Sequence, residues 1–320
     1  MKHIYPQSRG PNLARSEPIK FTEKAGKMAA NIEQVRNFWN ASPCQSLLST
    51  SENRIRYFQE ITDRRYGHRE WYVPTVAKFD SYRGKDVLEI GCGIATDGLE
   101  FAKNGANYTG VDLTPQSIDL AKERFSLFGV PGNFKVANAE ERLPFPDSCF
   151  DHVYSFGVIH HSPRPEKIVS ELSRVLRPGG TFTVMLYNRT SINYYIEIML
   201  LRRIFKWILL PSFMPRLVSA VTGFDRWKLE GHRKILRERK HLSKEEWVSM
   251  NTDGPFCPLA RVYNREQAAT LFSSFGKLRQ EVWEFNTDHW SFLGKCIPEA
   301  LARWIGRHWG WSRMIYGEKL

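Results

Sequence analysis

The spacing of apolar residues changes character at Asp86. From Asn31 to Phe79 the pattern is helical and rich in aromatics, with Phe38, Trp39, Tyr57, Phe58, Tyr66, Trp71 and Tyr72, which predicts a helical cap over residues 28–84. Beyond Asp86 short apolar runs alternate with helical stretches. VLEI, NYTGVDL, FKVAN, FDHVYSFG and TFTVMLY predict five strands. A helix is expected over Asp97–Lys103, and another from Pro115, with Thr114 as its N-cap and Gly129 as its stop. Ile168, Val169, Leu172, Val175 and Leu176 share one face of a third helix, and Arg177-Pro178-Gly179-Gly180 should break it. This alternation implies right-handed crossovers and a parallel sheet covered on both faces, hence a doubly wound α/β fold.

Residues 191–262 interrupt that rhythm with a mostly helical insertion. After it, REQAATLFSSFG predicts a helix ended by Gly276, LRQEVWEF a strand and WSRMIYGEK another. Residues 263–320 should therefore complete the sheet begun by residues 85–190. Residues 1–27 carry six basic and two acidic side chains and are expected to be a disordered basic tail.

Within the insertion, NYYIEIMLLRRIFKWILLPSFM predicts one amphipathic helix ended by Pro211. At about 100° per residue, Arg202, Arg203 and Lys206 form a basic stripe beside a wide apolar face. Residues 226–244 add eight basic side chains against two acidic ones. An apolar face beside basic side chains suits an anionic membrane surface, contacted through residues 196–210 and 226–244. Packing of that face on the rest of the protein is the alternative, with the charges merely solvated.

Composition narrows the setting. The 320 residues carry a formal charge of +12, which favours acidic partners such as anionic lipid, nucleic acid or a phosphorylated substrate. The five cysteines are scattered, with no C-x-x-C pair, so neither a disulfide framework nor a zinc site is expected and a reducing compartment is implied. No secretory leader is recognisable, and no window of about 18 apolar residues exists to span a bilayer. A cytoplasmic protein is expected, with peripheral membrane attachment as an option.

The chemistry starts at VLEIGCGIATDG, a strand running into Gly91-x-Gly93. In a dinucleotide fingerprint a third glycine would stand at 96, where the chain has Thr96. Asp112 lies 21 residues after Gly91, where an acid binds a ribose diol in either a dinucleotide or an S-adenosylmethionine site. Glu89 discriminates between them. Two residues before the turn, a carboxylate would repel a pyrophosphate but suits a cationic amino acid.

Glu89-x-Gly-x-Gly, Val111-Asp-Leu, Ala139-Glu-x-x-Leu-Pro-Phe-Pro-Asp-x-x-Phe-Asp and Leu176-Arg-Pro-Gly-Gly together resemble a class I S-adenosylmethionine-dependent methyltransferase. The similarity is to the broad group that includes ubiquinone and menaquinone biosynthesis methyltransferases. It covers roughly Lys85 to Tyr187 and the final strands. The resemblance implies a Rossmann-like seven-stranded sheet whose last strand is antiparallel, with S-adenosyl-L-methionine as cofactor across the C-terminal strand ends. It also implies that Gly91 and Gly93 admit the methionyl part and that Glu89 faces its amino group. Asp112 would bind the ribose and Leu113 pack on the adenine. The adenine-amino position, commonly Asp, is here Asn138, followed by Ala139 and Glu140, and Ser155 borders the methionyl portion.

His160 and His161 follow the fourth strand, where an imidazole could deprotonate a phenol, enol or quinol. They are the candidate catalytic residues; each could equally shape the loop by bonding backbone. Trp39 is either a lid over the cofactor or a core residue. The acceptor is expected to be a small, lipid-like or phenolic molecule methylated on oxygen or carbon. An RNA methyltransferase using the basic insertion, or a non-catalytic cofactor- or membrane-binding protein, are the alternatives.

Overall fold

The computed structural model describes residues 30–239, 241–285, 287, 294 and 296–320; the expected basic tail, 1–27, lies outside them. Seven strands form one sheet: β1 (Asp86–Ile90), β2 (Asn107–Asp112), β3 (Asn133–Val136), β4 (Phe150–Phe156), β5 (Leu176–Tyr187), β6 (Gly276–Trp283) and β7 (Ser312–Glu318). Their order across the sheet is β3-β2-β1-β4-β5-β7-β6. The first five run parallel, and β7 is inserted antiparallel between β5 and β6. This is the sheet that the resemblance implies.

Successive side chains of a strand point to opposite faces, so a strand apolar on both sides must be covered twice. In β1, Leu88 and Ile90 enter one core with Val111, Val153, Phe182 and helical Ile168, Leu172 and Phe272. Val87 enters the other, with Leu99, Phe101, Tyr108, Phe125 and Tyr72. The helices in chain order are α1 (Ile32–Ala41), α2 (Arg54–Arg64), α3 (Val73–Ala77), α4 (Thr96–Lys103), α5 (Pro115–Phe128) and α6 (Pro165–Val175). After β5 come α7 (Arg202–Phe205), α8 (Met214–Thr222), α9 (Arg226–Glu238), α10 (Lys244–Thr252), α11 (Arg265–Leu271) and α12 (Glu299–Trp309). Gly129 ends α5 at φ +64°, as a left-handed stop should. Thr114 precedes Pro115 as expected, but its hydroxyl bonds Asp112 and Ser117 instead of capping the helix.

Four expectations need correction. Arg177-Pro178-Gly179-Gly180 does not separate α6 from a strand starting at Thr181. The strand already begins at Leu176, pairs with Phe150, and slips register before His152 meets Thr181. Gly179, at φ +74°, supplies the bend that lets a bulged strand continue. Gly276 does not end a helix: α11 stops at Leu271, and Gly276 opens β6 opposite Glu318. The single amphipathic helix ending at Pro211 is instead a wide π-type stretch, Asn193–Leu201, then the short α7, then a tight 3-10 stretch, Lys206–Leu209. Finally, the sequence pattern predicts nothing over α12, which contains Gly306. A Cβ there would stand 3.1 Å from the Glu284 amide nitrogen, so the glycine is what allows α12 to lie on the end of β6.

The N-terminal helices are tied to the sheet by ion pairs and hydroxyls. Arg54 reaches Glu123 of α5 with both guanidinium arms, at 2.6 and 2.7 Å. Tyr72 bonds Ser312 of β7 at 2.8 Å. Among the described residues no helix is long and apolar enough to cross a membrane.

Candidate functional site at the C-terminal ends of the strands

β1 ends in a turn that two glycines make possible. Gly91 has φ +74° and Gly93 φ +52°, a region in which side chains other than glycine are strained. A Cβ on Gly91 would fall 2.3 Å from Val158 Cγ2, so the turn and the loop after β4 approach to a distance only glycine permits. Asp112, at the end of β2, fastens the turn. One carboxylate oxygen accepts from the Gly93 amide at 2.9 Å, the other from the Thr114 amide at 2.9 Å and hydroxyl at 2.8 Å. Burial pushes its pKa up from the usual carboxylate value, against those hydrogen bonds.

Glu89 is buried and accepts from the Tyr108 hydroxyl at 2.6 Å. Burial first, and then the charge of Asp97, pushes its pKa well up. A carboxyl held there without a cation gains if a positive group arrives. Ser155 is fully buried and donates to the Ile90 carbonyl at 2.9 Å, bracing β1 and β4 where the turn begins.

Around the remaining expected residues the structure divides. Leu113 is half-buried beside Asp112. Asn138 and Ala139 lie just beyond β3, with the Asn138 carbonyl oxygen taking the Glu140 amide at 3.0 Å and its amide donating to Glu141. Glu140 is engaged elsewhere: it accepts from the Ser162 hydroxyl and from Arg164 Nε at 2.9 Å. It ties the loop after β3 to the loop after β4.

Sequence reasoning missed the residue beneath the turn. Asp97, at the start of α4, is buried and accepts from four groups. Arg65 holds it with two arms at 2.8 and 2.6 Å, Tyr66 at 2.7 Å and Tyr154 at 2.9 Å. Arg65 also pairs with Glu70. The helical cap thereby clamps the glycine turn. Only the acid directly after Thr96 hinted at this.

On the far side of the turn stand the two histidines. His160 is fully buried, its ring 3.7 Å from the ring of Tyr187, and neither nitrogen has a hydrogen-bond partner. Burial, and then His161, pushes its pKa well below the usual value, so the ring is neutral. His161 places Nδ1 2.6 Å from the Leu259 carbonyl oxygen, which requires the proton to be on Nδ1. Its Nε2 lies 3.6 Å from Asp253 Oδ2. Trp39 of α1 packs edge-on against the same ring at 5.1 Å. Tyr187, where β5 ends, sets its hydroxyl 2.9 and 3.1 Å from the two Asp253 oxygens. Burial, and then Asp253, pushes the Tyr187 pKa well up, keeping the phenol protonated.

Asp253 belongs to TDGPFCPLARVY, a stretch to which sequence reasoning assigned no chemistry. The fold presses it onto the histidine loop: the Arg261 amide donates to the His160 carbonyl at 3.0 Å, and Arg261 Nη1 reaches the Ser162 and Pro163 carbonyls. The turn-forming character of Asp253, Gly254 and Pro255 was the available signal.

Residues 88–184 match a family model described as a methyltransferase domain. The chain is 37% identical over 109 residues to a sterol 4-C-methyltransferase of Caenorhabditis elegans, covering 34% of this chain and 32% of that protein. A fatty-acid O-methyltransferase of Mycolicibacterium smegmatis is 39% identical over 113 residues, covering 35% of this chain and 40% of that protein. The matched stretches thus span about a third of these relatives. Among solved structures, the [4+2]-cyclase SpnF shares the fold, with a TM-score of 0.50 at 16% identity over 92% of this chain and 99% of the other.

Proposed function

We propose that the class I methyltransferase domain carried by this chain transfers a methyl group from S-adenosyl-L-methionine to an oxygen or carbon of a small, lipid-like acceptor. The observation that carries the cofactor reading is the buried carboxyl of Glu89 beneath a turn that a Cβ at Gly91 would fill. That pairing fits a ligand that is cationic and approaches backbone closely. Bound there, the cofactor would supply an electrophilic methyl on a sulfonium. The work of this chain is to bind, align and desolvate. Gly91 and Gly93 would admit the methionyl part and Glu89 would face its amino group. Asp112, held by Gly93 and Thr114, still has lone pairs for the ribose hydroxyls. Leu113, Asn138 and Ala139 would border the adenine.

The acceptor end of this reading is bounded by Trp39, His161, Tyr187 and Asp253. An in-line displacement gains most from holding the nucleophile in a dry, fixed place. The neutral, buried His160 stacked on Tyr187 suits a wall of that place. The relatives named above, whose names record sterol and fatty-acid acceptors, support an apolar acceptor.

The insertion adds a membrane reading. Ile204, Phe205, Trp207, Phe213, Leu217 and Val221 are all exposed, Trp207 by 65% and Val221 by 77%. Arg203 and Arg216 stand exposed among them, and a hollow of about 600 Å³ beside α9 is lined by Arg233 and Arg237. Apolar side chains facing water next to basic ones match an anionic bilayer, each basic side chain contributing about 1 kcal/mol near the surface. Arg202 does not belong to this face, because it turns inward to Glu197 and the Asn251 carbonyl.

Isothermal titration should show binding of S-adenosylmethionine and none of NAD; tight NAD binding overturns the cofactor reading. Incubation with methyl-labelled cofactor and fractionated cell lipids should label an apolar product. Label confined to RNA would overturn the acceptor class. Flotation with anionic vesicles should carry the protein, and combined Arg203→Glu and Arg216→Glu substitution should release it. Equal flotation of the variant sinks the membrane reading.

A further inference from the structure

Among the described residues one group of nitrogen, oxygen and sulfur side chains converges on a common point. His161 Nε2, an Asp253 carboxylate oxygen and Cys257 Sγ all lie within 4.8 Å of one another. His161 Nδ1 sits 2.6 Å from the Leu259 carbonyl oxygen and donates to it, which leaves Nε2 as the ring's free ligand atom. That nitrogen is buried and has no hydrogen-bond partner. It faces Asp253 Oδ2 at 3.6 Å, too far for a hydrogen bond. A cation placed between the two atoms would pair with both.

We propose that His161, Asp253 and Cys257 form a binding site for a transition-metal ion of the zinc class, with a fourth position left for water. Ligand bonds of about 2.0 to 2.3 Å in a tetrahedral site put neighbouring donor atoms about 3.3 to 3.7 Å apart. The histidine–aspartate spacing of 3.6 Å already has that value. Cys257 Sγ, which lies 3.5 Å from the Leu259 carbonyl oxygen, would turn from that contact to join them. One nitrogen, one oxygen and one sulfur select zinc, cobalt or iron over magnesium and calcium, which take oxygen alone. The outer contacts are those a metal site uses. Backbone oxygen orients the imidazole through Nδ1, and the Tyr187 hydroxyl orients the carboxylate at 2.9 Å.

The ligands come from two loops, residues 159–161 after β4 and residues 253–257 after α10. Arg261 fastens one to the other. The expectation of no zinc site rested on the missing C-x-x-C pair, and a site assembled across 96 positions of sequence leaves no such pair. Two of its ligands, His161 and Asp253, also border the acceptor end described above, so the site is tested with neither cofactor nor acceptor present.

The test is to strip the full chain with chelator and titrate Co²⁺ in the absence of S-adenosylmethionine or any acceptor. Wild type should bind one cobalt per chain with a thiolate-to-cobalt charge-transfer band, and Zn²⁺ should displace it. Cys257→Ser should lose the band, while Cys149→Ser should keep it. Tyr187→Phe should keep the band and weaken binding roughly 10- to 100-fold, as loss of an orienting hydrogen bond does. Zn²⁺ should also raise the Tm of wild type and not that of His161→Ala. Absence of the band in wild type overturns the proposal even if every variant misfolds. A band that persists in Cys257→Ser overturns it too. Neither result bears on cofactor binding, which the titration with S-adenosylmethionine decides separately.

Discussion

The glycine turn with its surroundings and the helical insertion after β5 solve opposite problems. Around the turn, two carboxylates are each held by several donors. Asp97 takes four donors, Asp112 takes three, and Gly91 has no room for one more carbon. In residues 193–227 the helical segments are short, change their pitch twice and leave large apolar side chains in water. The first region has one conformation imposed on it from all sides. The second has surface that nothing among the described residues covers. A ligand of fixed shape needs the former, and a partner that is fluid or extended can use the latter.

Substitutions should expose this contrast most sharply at Asp97. Asp97→Asn leaves the Arg65 guanidinium buried beside a weaker partner, and breaking a buried pair costs about 3 to 5 kcal/mol. Denaturant unfolding should show a loss of that size. A loss below about 1 kcal/mol would mean the clamp between helical cap and turn is not mechanical. Next in size, Asp112→Ala removes the acceptor for Gly93 and Thr114 and should weaken S-adenosylmethionine binding by about 100-fold or more, close to 2.7 kcal/mol. Titration calorimetry reads it directly.

Acidity should test the opposite end of the same strands. His152 is buried on β4 with its Nδ1 2.9 Å from the Thr181 hydroxyl, and burial pushes its pKa down to about 3. In the unfolded chain the imidazole takes its proton as pH falls through about 6.5. The unfolded state therefore binds the extra proton between those values, and stability must fall as pH drops from about 6.5 to about 3. The slope from this group is about 1.4 kcal/mol per pH unit. His152→Gln should remove that share of the slope in unfolding measured across the window; an unchanged slope would show that the ring is protonated in the fold.

The smallest effect is expected in the insertion. Phe205→Ser and Trp207→Ser should shift stability by no more than about 0.5 kcal/mol, the usual range at exposed sites, while reducing vesicle flotation. If either instead destabilises the chain by several kcal/mol, that surface is covered by the protein itself and the contrast drawn above fails.

What was legible in the sequence tracks the same division. Strand runs, Gly91, Gly93, Gly129 and the acid at the end of β2 are local signals, set by period and by left-handed backbone, and they lie where expected. The sheet was readable for that reason. The clamp of Arg65 on Asp97 was not, because two charges 32 positions apart carry no shared period. Nor was the convergence of Tyr187, Asp253 and His161, which exists only once β5 and the loop after α10 are side by side. The pattern from Asn193 to Leu209 misled for a physical reason. A wide apolar face predicts a helix when something packs on it, and here Ile204 and Phe205 are exposed. Nothing then enforces a uniform pitch. Glu140 follows the same rule: its carboxylate pairs with Ser162 and Arg164, 22 and 24 positions away, which no local pattern announces.

The placement of β7 has a consequence for how the molecule is made. Its neighbours in the sheet are β5, which precedes it by more than a hundred residues, and β6. During synthesis β5 therefore emerges with one edge unpaired, and it stays so while the whole insertion and β6 are being added. An open strand edge is a template for pairing with any other extended chain. The edge left open in that interval runs from Thr181 to Tyr187, the residues that β7 later pairs in unbroken register.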